Sequence, residues 1–345
     1  MPTEAPLCPH FGRCGGCSMQ NIEYEAQLKQ KKEKLRALLS RVAGLELPDI
    51  EIVASEPYGY RDRFQFHRVD KTLGTKSTAR YKPLAIERVV ASSVGFAALR
   101  SNDIIPINDC LVANKLVRRA LREGKIKAPL DKDRWTVYGR GETLLEEGGR
   151  ARGKIMLCGK ELLVDAALFF QSNGALLEKL IERIMLLAGN AEKKSRAGDF
   201  YCGVGTFAVF LQDFFPHLDL LEENTASLSL ARDNLAHTSS PSAAPRGKNN
   251  FWAETDNQWV KKAQRKNEPY NFLVVDPSRQ GLSASMRKWL CEHKPHILIY
   301  VSCDPTALAR DTRELAASFT LESLTLYDFY PQTEHIETLA VFKIH

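Results

Sequence analysis

The stretch "NFLVVDPSRQGLSASMRKWLCEHKPHILIYVSCDPTALARD", residues 271–311, decides how the chain folds. Two short apolar runs, "NFLVVD" and "HILIYVS", each break at a polar turn ahead of proline, and a helical pattern follows. Runs of this length bounded by turn signals read as buried strands. Strands alternating with helices are the pattern of βαβ units and a parallel sheet. The pattern extends towards the N-terminus as far as Asn173 through "AGDFYC", "HLDLLE" and "NNFWAE", with "TSSPSAAPRGKNN" at 238–250 as a surface loop. Towards the C-terminus, "LESLTLYDFY" and "IETLAVFKI" are joined too briefly for a crossover helix. They predict an antiparallel hairpin at one edge of the sheet.

The first half has another character. Residues 18–43 space Leu28, Leu35, Leu38, Leu39 and Val42 as one amphipathic helix ending at Gly44. "IEIVA", "YRDRFQFHRV", "ARYKPLAIERVV" and "SVGFAAL" then read as strands, followed by a basic helix in "LVANKLVRRALREGKIK" and more β pattern in "RWTVYG", "GKIMLC" and "KELLVDAA". The 345 residues, 44% hydrophobic and 26% charged, have the composition of a globular protein of two domains. A net charge of +6 is compatible with a nucleic-acid partner. No apolar signal core and no run of eighteen apolar residues occurs, which points to a cytoplasmic protein without a membrane span, where thiols stay reduced. Nothing in the sequence names a protein partner.

Strand ends in an open α/β sheet are where ligands bind, so residues there have candidate roles. Cys303 ends one strand; it is either a small buried hydrophobe or a nucleophile. Gly203 and Gly205 in "DFYCGVGTF" let the backbone approach a ligand ahead of a helix, or simply make a turn. Glu222 could accept hydrogen bonds from a ribose diol or cap the following helix. Asp276 could hold a ligand or serve the turn at Pro277. No Walker lysine follows, which favours a nucleoside cofactor over a triphosphate. At the front, Cys8, Cys14 and Cys17 have the spacing of a metal or iron–sulfur site, with Cys110 or Cys158 as a fourth ligand.

"DFYCGVGTF", "VVDPSRQGL", "YVSCDPTALARD" and "DFYPQTEHIE" occur in this order, with "FFQSN" at 169–173 ahead of them. Together they resemble the S-adenosylmethionine-dependent RNA uracil-C5 methyltransferases, which make 5-methyluridine in ribosomal or transfer RNA. The resemblance covers about 170–345 continuously and the cysteine-rich start separately. It implies an α/β fold: a Rossmann-like, seven-stranded class I methyltransferase domain over 171–345. A smaller β-rich iron–sulfur and RNA-contacting region over 1–170 would include the helix at about 20–43. Cys303 matches the nucleophile that adds to C6 of uracil, and Glu337 matches the base that removes the C5 proton. Gln171, Tyr201, Gly203, Glu222 and Asp276 match positions lining the cofactor and target-base pocket. Where the family usually has Asn, this chain has Asp304, whose charge disfavours a Cys303 thiolate unless it points away or pairs with a base such as Arg310.

The front spacing is similar to that of members acting on 23S rRNA, which carry a 4Fe–4S cluster on four cysteines. "PINDCLVA" matches the distant ligand, so the resemblance implies Cys8, Cys14, Cys17 and Cys110, with zinc as the alternative metal. Many members begin with a small TRAM-like barrel. Here Cys8 stands seven residues from the start, and RNA contact is expected on the cluster region. Arg61 and Arg63 with Phe64 and Phe66, and Arg118, Arg119, Arg122 and Lys125, are candidates for phosphate and base contacts or are an ordinary surface over core phenylalanines. The expected product is 5-methyluridine in 23S rRNA. Alternatives are a transfer-RNA substrate and a non-catalytic iron–sulfur protein that binds RNA or senses redox state.

Overall fold

The computed structural model describes residues 4–42, 44–69, 94–238, 249–263 and 269–345. The expected strand at 79–90 and most of the 238–250 loop lie outside them.

Helix α1 (Tyr24–Leu39) and strand β1 (Ile50–Val53) come first. β2 (Arg63–Arg68), β3 (Val94–Ala97), β4 (Ile104–Pro106), α2 (Lys115–Arg122), β5 (Arg134–Arg140) and β6 (Thr143–Glu146) follow, and these strands form an antiparallel sheet in the order β4-β3-β2-β5-β6. A hairpin of β7 (Arg152–Leu157) and β8 (Lys160–Asp165) leads to α3 (Gly174–Gly189). Then come β9 (Arg196–Phe200), α4 (Ala208–Leu211), β10 (His217–Leu221), α5 (Thr225–His237), β11 (Asn250–Trp252), α6 (Asp256–Ala263) and β12 (Phe272–Val275). The chain ends with α7 (Ala284–His293), β13 (Ile297–Ser302), α8 (Pro305–Leu315), β14 (Phe319–Tyr327) and β15 (Glu337–Ile344).

The large sheet runs β1-β14-β15-β13-β12-β9-β10-β11. Its middle strands are apolar throughout because both faces are covered. Phe272 and Val274 face a layer of α3, α4, α5 and the β7–β8 hairpin, while Leu273 and Val275 face α1, α6, α7 and α8. Seven strands come from 196–344. The eighth, β1, comes from the front of the chain and pairs in parallel with β14, Ile50 opposite Leu324. The terminal hairpin is therefore not at the edge as expected: β15 lies between β13 and β14, and β1 covers β14, hiding an edge that would otherwise present unpaired backbone groups. α1 starts later and stops earlier than its periodicity suggests, with Ser40 as its C-cap and Gly44 turning at φ +73°. β4 and β6, at three and four residues, are too short to announce themselves in sequence.

Phe64 and Phe66 point into the smaller core, where Phe66 stacks on Phe96 and packs against Trp135. They are not exposed stacking platforms. Among the described residues no helix is long and apolar enough to cross a membrane.

Ile50 is fully buried in the core beneath the large sheet although it belongs to the front of the chain. Ile50→Ala should lower the unfolding free energy by about 2–5 kcal/mol in chemical denaturation. A loss below about 0.5 kcal/mol would mean that β1 is not part of this core.

Candidate active site and a cysteine-lined cavity

The carboxyl ends of β9, β10, β12 and β13 open into a cavity of about 1070 Å³. After β9 the backbone turns through left-handed conformations at Tyr201 (φ +60°), Gly203 (φ +54°) and Gly205 (φ +79°). The non-glycine among them is held by its hydroxyl, which donates to Asp256 Oδ2 at 2.7 Å, and the Ser283 N–H donates to the same oxygen. Gly205 is needed for close packing, because a Cβ there would come within 2.9 Å of the Ala231 Cβ. Glu222 follows β10 and accepts from the Gly203 N–H at 3.0 Å and the Asn224 N–H at 2.8 Å. Its carboxylate is thereby fixed on the cavity wall beside the glycine turn. Asn224, not Glu222, caps α5.

Cys303 follows β13 on the same rim. Because β15 runs antiparallel to β13, with Ser302 opposite Thr338, continuing the register by one residue sets Cys303 opposite Glu337. Both line the cavity with Asp276, Arg279, Tyr330 and Gln171. Burial pushes the Glu337 carboxyl up to about 8, with help from the nearby Asp276 charge and opposition from Arg279. Asp276 is pushed up to about 7 by burial alone. The Cys303 thiol is pushed up to about 12, by burial first and then by Glu337 and Asp276, with Arg279 pulling the other way.

Asp304 turns away from this corner. Its Oδ1 accepts from the Thr306 and Ala307 N–H groups as the N-cap of α8, with Pro305 in the first turn. Arg310, the sequence's candidate partner for it, instead binds Asp311 and the Gln280 and Leu282 carbonyls. Among the cavity groups that the motifs carried without a named role are Arg279, inside "VVDPSRQGL", and Tyr330 and His335, inside "DFYPQTEHIE". Arg61 also lines the cavity, its guanidinium over the Phe64 and Tyr330 rings.

A second cavity of about 420 Å³ is lined by Cys8, Cys14, Cys17 and Cys110. Burial pushes the Cys110 thiol up to about 12, with the neighbouring Cys17 adding to it. Cys158 lies elsewhere, its Sγ 3.6 Å from the Glu178 carbonyl. Among the described residues no three His, Cys, Asp or Glu side chains form a group that could hold a metal ion. Asp109 accepts from the Cys110 N–H and pairs with Arg118 and Arg122. Those two arginines of α2 are thus engaged in fixing the Cys110 loop rather than standing free.

Residues 159–344 match the family model for tRNA (uracil-5-)-methyltransferases. Over 98% of its length the chain is 32% identical to an "uncharacterized RNA methyltransferase" of Treponema denticola, covering 83% of that protein. It is 26% identical, over 98% of this chain and 80% of the relative, to a 23S rRNA (uracil(1939)-C(5))-methyltransferase of Pectobacterium carotovorum. Among solved structures it is similar to the Pyrococcus abyssi tRNA (uracil-54, C5)-methyltransferase in complex with S-adenosyl-L-homocysteine. The TM-score is 0.68 at 21% identity, covering 95% of this chain and 85% of that one.

The capping role of Asp304 has a direct check. Asp304→Ala should lower stability by about 1 kcal/mol, whereas Asp304→Asn, which can still cap, should leave it nearly unchanged in the same denaturation experiment. Equal behaviour of the two variants would remove the cap from the account.

Proposed function

Because the chain belongs to the tRNA (uracil-5-)-methyltransferase family and is an S-adenosylmethionine-dependent RNA uracil-5 methyltransferase, we propose that it makes 5-methyluridine in 23S rRNA through Cys303 and Glu337. The observation that supports the mechanism is that Cys303 and Glu337, each one residue beyond the Ser302–Thr338 pair of β13 and β15, line one cavity. The 23S assignment is supported by the named relatives. Mapping 5-methyluridine in ribosomal and transfer RNA from cells with and without the gene tests it. Loss of the modification from transfer RNA alone would redirect the assignment.

S-adenosylmethionine supplies an electrophilic methyl group on a cationic sulfonium. The residues that fit it are Tyr201, Gly203 and Glu222 at the β9–β10 end, where the glycine turn is open and the carboxylate is already oriented. Asp276 and Gln171 lie where they can serve the cofactor or the target base. C5 of uracil is a poor nucleophile, so the Cys303 thiolate adds at C6 and pushes electron density to C5, which could then accept the methyl group while the pair of the broken methyl–sulfur bond would stay on the donor sulfur. The Glu337 carboxylate then removes the C5 proton. The electron pair re-forms the C5–C6 double bond and the thiolate leaves C6. Before the reaction, Arg279 favours the thiolate, and protonation of Glu337 and Asp276 removes the two charges that oppose it. The thiol and the methyl donor cannot both reach a base stacked in a helix, so the uridine is flipped into the cavity. Arg61, at the cavity wall, and Arg119, exposed on α2, are suited to the flanking phosphates.

For the second cavity we propose a 4Fe–4S cluster on Cys8, Cys14, Cys17 and Cys110. The donor set fits, since four thiols face one space. Four cysteine thiolates suit zinc as well, so metal and sulfide content decide between the two. In this reading residues 1–170 are the cluster and RNA-contacting region and 171–345 the catalytic domain, with α1 and β1 laid on the catalytic sheet. A cytoplasmic location suits both the rRNA and the reduced thiols.

Cys303→Ala should lose methyl transfer while binding S-adenosylmethionine as before, and measurable turnover would exclude covalent catalysis by this thiol. Glu337→Gln should stop at a covalent enzyme–RNA adduct, visible as a slow band on denaturing gels. In the unaltered protein, decay of that adduct needs ionised Glu337. Its rate should therefore rise about tenfold per pH unit towards pH 8 and level off above it. A profile flat from about pH 5 to about pH 9 would contradict this role.

Protein purified without oxygen should be brown and carry about four irons and four sulfides per chain. Cys110→Ser should lose the colour and Cys158→Ser should keep it. One zinc with no acid-labile sulfide would overturn the cluster.

A further inference from the structure

The segment that carries Glu337 into the cavity, residues 328–337, is gripped from outside the catalytic sheet. Gln332 is its pivot. It is 3% exposed and sits at φ +66°, a conformation that a non-glycine residue keeps only when its surroundings over-determine it. The surroundings do so with hydrogen bonds. The Gln332 N–H donates to Gln27 Oε1 at 3.0 Å, and Gln27 Nε2 donates back to Gln332 Oε1 at 3.0 Å. Gln27, fully buried on α1, also donates to the Met19 and Ile22 carbonyls. The Gln332 carbonyl accepts from the Ser18 and Met19 N–H groups at 2.9 and 3.0 Å, and these residues directly follow Cys17. Lys31, one helical turn along α1 from Gln27, pairs with Asp328 and donates to the Tyr330 carbonyl. Tyr60 fixes the Pro331 carbonyl. None of these groups needs such arrangements for α1 to be a helix, and buried polar contacts of this number specify position.

We propose that Gln332, held by Gln27 and by the Ser18–Met19 backbone, is a positioning residue for Glu337. It sets the base's segment by reference to the stretch that follows Cys17, so the order of the cysteine-bearing front is transmitted to the proton-abstraction step. The inference rests on the reading of Glu337 as the base. It assigns Gln332 no contact with RNA or cofactor. A displaced Glu337 leaves thiol addition and methyl transfer possible but slows removal of the C5 proton, the step that releases the RNA.

The test uses Gln332→Gly, which keeps the left-handed backbone without the amide, and Gln27→Met, which keeps length without the hydrogen bonds, beside Glu337→Gln. Both Gln variants should lose about 10–100-fold in kcat. KM for RNA should fall together with kcat, because covalent enzyme–RNA adduct accumulates during turnover, while S-adenosylmethionine affinity and iron content should hold within about twofold. A merely stabilising role would lower melting temperature and activity together without adduct. Unchanged kcat, or lost kcat without adduct where Glu337→Gln does accumulate it, overturns the positioning role. Absence of adduct in Glu337→Gln as well overturns the base assignment and this inference with it. If Gln332→Gly does not fold, Gln332→Asn, which tolerates the same backbone but falls short of Gln27, carries the same readout.

Discussion

Parallel alignment forces strand ends to one rim, and the catalytic arrangement follows from that constraint. β9, β10, β12 and β13 all run the same way, so Tyr201, Glu222, Asp276 and Cys303, each just beyond a strand, gather round a single opening. A fifth group is harder to place, because the next parallel strand would again end there with its own turn. The chain solves this by reversal. β15 is antiparallel to β13 and therefore begins at the rim where its neighbours end, which delivers Glu337 as its first residue.

Desolvation dominates the chemistry of this corner. Burial is the largest cause of the upward displacement of Cys303, Glu337 and Asp276 alike. A thiol and two acids in a half-dry pocket are cheapest when neutral. Burial thus favours the neutral form of all three groups, and Arg279 works against it at Cys303 and Glu337. Arg279 shares with Arg61 a cavity wall otherwise rich in carboxyls.

The catalytic sheet was legible because buried parallel strands have no polar alternation to dilute them: "FLVV" and "ILIYVS" can hardly be anything else. "IEIV" was legible as a strand but its sheet was not, since nothing near residue 50 encodes a partner near residue 324. The candidate catalytic and cofactor residues were picked out by short motifs around strand ends, and Gln171, Tyr201, Gly203, Glu222, Asp276, Cys303 and Glu337 all line one cavity. What the motifs hid was context. Asp304 looked like a charge beside the thiol and is a helix cap. Arg118 and Arg122 looked like a basic face and are tied to Asp109. Gln27, on a helix rich in lysines, is buried only through the tertiary fold. Polar residues with long-range partners leave no periodic trace.

The pairing of β1 with β14 bears on the order in which the protein can be completed as it leaves the ribosome. Glu51 and its contact Thr325 are 274 residues apart. At about 5–20 residues per second, roughly 15–55 s pass between the emergence of one and the other. During that interval α1 has no sheet to lie on, and its apolar face, with Leu35 and Leu39, has no core to enter. The nascent front of the chain is thus a sticky helix and strand awaiting the last residues made. Truncation near the C-terminus would cost the front its anchorage as well as Glu337, and a chaperone able to shield an amphipathic helix would find its client here.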